Sequence, residues 1–421
     1  MLSLQSVLGD DAAVLRKRNF QALLLANLMA PLGTALLSPV LDSLTDPFGV
    51  SAASIGLMIA FFSAPAVVVI PFAGAIADRY GRKPILVVSL FLFGVAGTAI
   101  AFTTDFRAVL GLRLLQGVAY AGLTPIIITS IGDLYAETEE ATAQGLRFTG
   151  SGISQAVFPL LAGVLVVTAW QYPFYIYVVA LPIAVVVYRW FDEPTGARPD
   201  ADASATDGGE TGSYRRDLLA RVRRRRAFAL IAARGVAALI WVGFLTYNSI
   251  LVVRVIDGTP QEAGLLVAVG SVVYAAAATQ AGRITAFFDS RINPLVASHV
   301  CMGVGFAVVL FAPNVVVAGL GIVVAGGGFG VGLSLYRSVV TNLSPENLRA
   351  GIVTFAEAGG RAVNTMTPIG MGAIIGVLTP SVGLAAAVQS AGLAAIVVGG
   401  VGGIVCLLVA RSSPPLPDDR P

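Results

Sequence analysis

Residues 74–84 read Gly74-Ala75-Ile76-Ala77-Asp78-Arg79-Tyr80-Gly81-Arg82-Lys83-Pro84. Four charges, Asp78, Arg79, Arg82 and Lys83, fall between two apolar stretches near 52–76 and 85–104, each long enough to cross a bilayer. Hydrocarbon does not accept charge at that density, so the stretch is a short turn on one membrane face.

The rest of the chain agrees. Of its 421 residues 56% are hydrophobic and 12% charged, against about 25% charged in an ordinary soluble domain. Twelve segments have the length and apolarity of membrane spans, near 20–41, 52–76, 85–104, 108–131, 145–168, 170–190, 228–252, 262–286, 295–312, 315–339, 350–377 and 383–409. The first follows Arg16-Lys17-Arg18 and reads as a retained helix rather than a signal peptide.

Basic residues set the orientation. With a cytoplasmic N-terminus and twelve alternating spans, 22 of the 27 Lys and Arg residues fall on the cytoplasmic side. Arg107 and Arg254 fall outside, and Arg113, Arg234 and Arg361 lie within spans. This asymmetry is the positive-inside pattern, and it places both termini in the cytoplasm of a multi-pass cell-membrane protein. The net charge of +3 is therefore a topology signal and implies no nucleic acid. Cys301 and Cys406 both lie in apolar spans and read as packing residues. One histidine and no Cys/His cluster leave a structural metal without ligands, and no cofactor is expected.

The organisation is two halves and a linker: 1–191, a cytoplasmic connection 192–227, and 228–421. The connection begins rich in Ala, Asp, Gly and Ser, as a flexible tether does. It ends, over Tyr214–Arg226, with seven arginines around Leu218, Leu219 and Val222. That segment is either a basic amphipathic helix on anionic lipid or a solvated tether that enforces topology. Across the linker the halves repeat. Gly74 aligns with Gly282, Pro84 with Pro294, Pro159 with Pro368 and Gly163 with Gly372, at offsets of 208, 210, 209 and 209 residues.

Gly74, Asp78, Arg79, Gly81, Arg82 and Lys83 fill every fixed position of a G-x-x-x-D-R-x-G-R-[RK] turn. The chain thereby resembles the major facilitator superfamily, whose signature lies between its second and third helices. The resemblance implies an all-α polytopic fold of twelve helices in two pseudo-symmetric six-helix bundles, with substrate near the midplane. It also implies that the turn is a conformational latch. Asp78 would face the start of the eleventh helix, where free N–H groups favour an anion. Arg79, Arg82 and Lys83 would meet acidic or carbonyl groups at neighbouring helix ends, and Gly74 would allow close helix approach.

In the fourth span, Arg113-Leu114-Leu115-Gln116-Gly117 resembles the R-x-x-Q-G element of the drug:proton antiporter branch. An arginine at membrane depth costs about 2.5–3.5 kcal/mol on insertion scales, so Arg113 either faces a cavity or snorkels outward. The fifth span keeps Pro159 and Gly163 of that branch's G-P-x-x-G-G ending but carries Phe158, Leu161-Ala162 and, earlier, Ser154.

Glu357 is the one carboxylate well inside a predicted span, and Arg361 follows at i+4 on the same helix face. The two form either a proton-coupling centre or a static ion pair. Asp42, at the outer end of the first span, reads as a water-exposed gate residue, and His299 as a packing residue. Asn27, Gln155, Tyr247, Asn248, Tyr274, Gln280 and Asn364 are candidates to line a substrate cavity or to join helices. The glycine runs 326–328 and 399–400 read as close-packing surfaces, because no Gly-Lys-Ser/Thr follows them.

No nucleophile–base pair, metal cluster or soluble domain supports an enzyme or receptor, and no nucleotide-binding loop supports ATP-driven transport. The expectation is a monomeric secondary transporter for a small-molecule substrate, exporting amphiphilic compounds or drugs in exchange for protons. A metabolite symporter or facilitator of the same superfamily is the alternative.

Overall fold

The computed structural model describes residues 9–194, 216–288, 290–341, 343 and 346–414. Among these, eleven helices are long and apolar enough to cross a membrane. The expected first span, 20–41, is the exception. It forms α1, Arg18–Met29, and then narrows to a 3-10 turn over Ala30–Gly33 and to further turns through Leu41. Pro31 is the physical reason, because it has no N–H to give to the preceding turn.

The remaining long helices are α2 (Leu57–Tyr80), α3 (Arg82–Ala99), α4 (Phe106–Ala121), α5 (Thr124–Leu134), α6 (Glu137–Thr168), α7 (Ala180–Trp190), α8 (Arg225–Arg254) and α9 (Pro260–Thr285). They continue as α10 (Ile292–Leu310), α11 (Val315–Thr341), α12 (Glu346–Val382), α13 (Leu384–Ile396) and α14 (Gly402–Ser412). A π-helical turn, Val397–Val401, joins the last two. In a bilayer each helix satisfies its own backbone, so the outward faces can be apolar. They are: Val316 and Val377 are each 76% exposed and Phe102 is 74% exposed.

The described chain groups into two compact units, Met1–Leu37 with Phe61–Ser204, and Ser38–Ala60 with Ala205–Pro421. The tether expected over 192–213 falls mostly outside the described residues.

In the first unit α1 packs on α6 and α7, and α3 on α4 and α7. In the second, α11 lies between α9 and α10, and α8 packs on α12 and α14. Glycine makes the α10–α11 approach possible. A Cβ on Gly305 would stand 2.4 Å from the Ala325 nitrogen, and one on Gly321 would stand 2.6 Å from the Gly305 oxygen. Both glycine runs lie in such contacts, Gly326 against the Gly270 carbonyl and Gly399 against that of Val236.

Candidate functional site

The charged turn opens with Gly81 at φ +91°, a conformation open to glycine and strained for other residues. This reversal lets α3 begin at Arg82 directly after α2 ends. The free N–H groups of Arg82 and Lys83 donate to the two carboxylate oxygens of Glu193 at 2.5 and 2.9 Å. An acid from the segment after α7 thus caps α3 where the helix dipole favours negative charge. The buried Arg82 guanidinium pairs with Asp133 near the end of α5. Lys83 lies 5.5 Å from the Tyr188 ring centre, and Arg79 at the same distance from Tyr80. Gly74 and Asp78 lie on the α2 backbone, and their side-chain surroundings fall outside the described residues.

Arg113 does not snorkel. It is fully buried in the first unit. There it donates to the Gly33 carbonyl and to Gln116 Oε1, the latter at 2.5 Å, with its guanidinium 4.5 Å from the Phe62 ring centre. Gln116 in turn donates to the Phe93 carbonyl at 3.3 Å, and Tyr177 donates to that of Leu32 at 2.9 Å. Leu32 and Gly33 belong to the broken end of α1, so Arg113 and Tyr177 satisfy carbonyls released by the break. Asn27, one turn earlier, donates to the Arg147 carbonyl at 3.0 Å and to Ser151 at 2.8 Å. Arg147 is a buried cation that the sequence reading leaves at the cytoplasmic edge. Its guanidinium donates to Gln144 at 2.9 Å and to Asn27 Oδ1 at 3.4 Å. Gln155 is half-buried on the same helix.

In the second unit, Glu357 meets a partner that helical spacing does not suggest. Its ion pair is with Arg234 of α8, which also donates to the Ala356 carbonyl at 2.6 Å. Arg337 and Arg361 lie within electrostatic range of the same guanidinium. Beside the same-helix pairing with Arg361 that spacing suggests, Glu357 thus has an interhelical partner, which the packing of α8 on α12 brings to it. Asn364, seven residues beyond Glu357, has a buried Oδ1 with no hydrogen-bond partner.

Further along α8, Tyr247 donates to the Pro368 carbonyl at 3.1 Å and Asn248 to that of Ala263 at 2.9 Å. Both line a small apolar recess, with room for about one water-sized molecule, together with Phe244, Phe306 and Met371. Tyr274 joins Trp241 and Phe329 in an aromatic cluster. Gln280 stands apart from these, exposed on α9 and bonded to Thr279 and Arg283.

Asp42 is not a water-exposed gate. It is buried, and Arg254 donates to its two oxygens at 2.9 and 3.2 Å. Burial pushes its carboxyl above the usual range, against the opposing pull of the Arg254 hydrogen bond and charge. His299 is a satisfied core residue. Because the Gly399 carbonyl only accepts, Nδ1 carries the proton at 2.8 Å, and Nε2 accepts from Tyr336 at 2.7 Å.

Residues 23–363 match the sequence profile of the Major Facilitator Superfamily. The chain belongs to this superfamily. It is accordingly a multi-pass membrane transporter and not an enzyme. The chain is 33% identical to the bacillibactin exporter of Bacillus subtilis (strain 168) over 164 residues, 37% of this chain and 41% of the exporter. It is 29% identical to multidrug resistance protein 2 of the same organism over 124 residues, covering 29% and 31% of the two chains. With the 4-hydroxybenzoate transporter PcaK of Pseudomonas aeruginosa it shares 28% identity over 167 residues, 40% of this chain and 37% of PcaK. The matched stretches thus span less than half the length of these relatives. At the level of fold it superposes on the nucleoside transporter NupG with a TM-score of 0.75 at 14% identity, over 94% and 99% of the chains. For the D-xylose-proton symporter the TM-score is 0.73, at 14% identity over 96% and 98%.

Proposed function

We propose that this protein exports small amphiphilic compounds in exchange for protons, with Glu357 as the coupling carboxylate. The observation that carries the reading is the Arg234–Glu357 pair, which joins two transmembrane helices through the one bond there that a proton can break. An acid at membrane depth is costly unless paired, so neutralising it changes which arrangement of helices is favoured. Similarity to the bacillibactin exporter and multidrug resistance protein 2 supports export, as does the Arg113-x-x-Gln116-Gly117 element.

In this scheme Arg113 and Gln116 hold the broken end of α1, and the Gly81–Lys83 turn, capped by Glu193, is the rigid part of a latch completed by Asp78. The proposed setting is the cell membrane with both termini cytoplasmic. The basic segment before α8 would rest on anionic lipid. It is helical over 216–222, with Val222 and Arg221 turned inward and Arg223, Arg224 and Arg225 exposed.

A second reading, uptake of aromatic acids together with protons, would use the same Arg234–Glu357 pair. Similarity to PcaK and to the 3-(3-hydroxy-phenyl)propionate transporter of Escherichia coli (strain K12) supports it.

The test uses inside-out vesicles acidified internally, with a pH-sensitive dye and a panel of lipophilic cations, antibiotics and aromatic acids. Compound-dependent proton release, lost in Glu357→Gln, is the outcome expected for export. Release that persists in Glu357→Gln removes that residue from the coupling step.

A further inference from the structure

Residues 38–60 follow α1 in the chain and run into α2, yet they belong to the compact second unit. Glycine permits their close seating there. A Cβ on Gly372 of α12 would run into the Ala53 carbonyl oxygen, and one on Gly56 would stand 2.8 Å from the Tyr247 hydroxyl of α8. Polar ties add to these contacts. Ser249 of α8 donates to the Pro39 carbonyl at 2.8 Å and accepts from the Asp42 N–H at 3.2 Å. Residues 38–60 thus form a strap, docked on α8 and α12 and continuous with α1 and α2.

The acid buried in this strap is poorly compensated. The Asp42 side chain is 7% exposed, whereas that of its partner Arg254 is 47% exposed. Water screens the arginine, so its charge offsets little of the cost of burying the carboxylate. Among the described residues the Arg254 Nε–H is the one donor that the carboxylate meets, shared between both oxygens. An ionised carboxylate can accept about four hydrogen bonds, so docking removes more hydration than this N–H restores. The 42–44 turn packs on residues 45–48, on 52–55 and on α8. The first brings Asp46, which disfavours a second negative charge, the helix 52–55 brings no titratable group, and α8 brings Arg254. Together these surroundings make the docked Asp42 hold a proton more readily than an exposed carboxyl does.

We propose that docking of the strap binds a proton on Asp42. Released into water, the carboxyl ionises. Docked, it is buried neutral, and its carbonyl oxygen keeps the Arg254 Nε–H. The inference rests on the proposed exchange and its membrane setting for the side that supplies the proton, which is the outer one. A carrier that has released its cargo outward then closes more readily in an acid exterior. The proton returns to the outer solution when the strap lifts, so it governs closure and adds nothing to the number carried across.

The experiment measures spin-label distances between the strap and α12 in purified protein in nanodiscs, with both faces open to buffer. Ser51→Cys and Ser381→Cys, at exposed positions, carry the labels in a chain with Cys301→Ala and Cys406→Ala. The docked carboxyl holds its proton above the ordinary value of 3.8 and the released one does not, so acid favours docking. From about pH 8 to about pH 4 the docked, short-distance population is expected to grow over the undocked one, by up to about tenfold per unit within the step. Asp42→Asn, neutral at every pH, is expected to remove the step and to stay docked as the wild type does in acid. Arg254→Gln takes away the opposing cation, so the step is expected to move to higher pH. This second variant serves if the first does not fold.

Docking that is indifferent to pH, or that acid opens, overturns the proposal, and the latter result makes Asp42 and Arg254 a plain ionic latch. A step lost in Glu357→Gln and kept in Asp42→Asn assigns the proton to Glu357, which overturns the strap and leaves the exchange. A step lost in Asp42→Asn, beside vesicle proton release that persists in Glu357→Gln, supports the strap and removes Glu357 from coupling.

Discussion

At Asp42 burial and a cation pull in opposite directions. Burial raises the carboxyl's affinity for a proton, and Arg254 lowers it, with burial prevailing. A carboxyl whose folded value lies above its unfolded one stabilises the fold fully below the ordinary value of 3.8. That contribution is lost as pH rises through the raised value. Asp42→Asn removes the titration while keeping shape. The melting temperature of the wild type relative to this variant should therefore fall as pH climbs from about 3.5 through the raised value, and a constant difference would refute the account. Glu193 offers a second check. Its carboxylate receives two N–H groups at the start of α3, so Glu193→Ala should cost about 1–2 kcal/mol of stability, read as a lower melting temperature in detergent.

Whole elements follow from where the backbone is interrupted and how closely helices approach. Among the described residues the break in α1 has the widest consequences, because it exposes the Leu32 and Gly33 carbonyls that Tyr177 and Arg113 then bind. Pro31 and Gly33 were visible in the sequence, but nothing local said that Arg113, eighty residues on, would turn inward to meet them. The spans themselves were legible because lipid demands long apolar runs, and the 81–84 turn because its glycine and charges admit few alternatives. Pairings between helices distant in the chain, such as Arg234 with Glu357, leave no periodic signal. The α10–α11 contact gives a sharper test. Gly305→Ala drives a methyl against the α11 backbone at 2.4 Å, whereas a Cβ on Gly319 meets only a Leu266 side-chain carbon at 3.8 Å. The first should destabilise by about 1–3 kcal/mol. The second should stabilise by up to about 1 kcal/mol through helix propensity. Melting curves that rank them the other way would refute this packing.

Across the molecule, the internal repeat reaches further than the aligned Gly and Pro positions. Asn27 of α1 donates to the Arg147 carbonyl of α6, and Arg234 of α8 donates to the Ala356 carbonyl of α12. The donors are 207 residues apart and the acceptors 209, so each unit ties its first helix to its fifth at the same place. The donor is an amide in one unit and a guanidinium in the other, and the second partner is Ser151 in the first and Glu357 in the second. The first tie contains no carboxylate and holds its helix pair at any pH, whereas the second can be opened by a proton. A charge exchange separates holding from switching. Arg234→Glu alone sets two acids side by side and should lower the melting temperature, by less than breaking a fully buried pair does because the Glu357 side chain is partly exposed. Adding Glu357→Arg restores opposite charges and should recover most of that stability. Transport should not return, because the proton-accepting group now sits on α8, away from the α12 face that carries Arg361 and Asn364. If the double variant regains coupled transport along with its melting temperature, the pair needs only opposite charges, and the placement of Glu357 on α12 has no part in coupling.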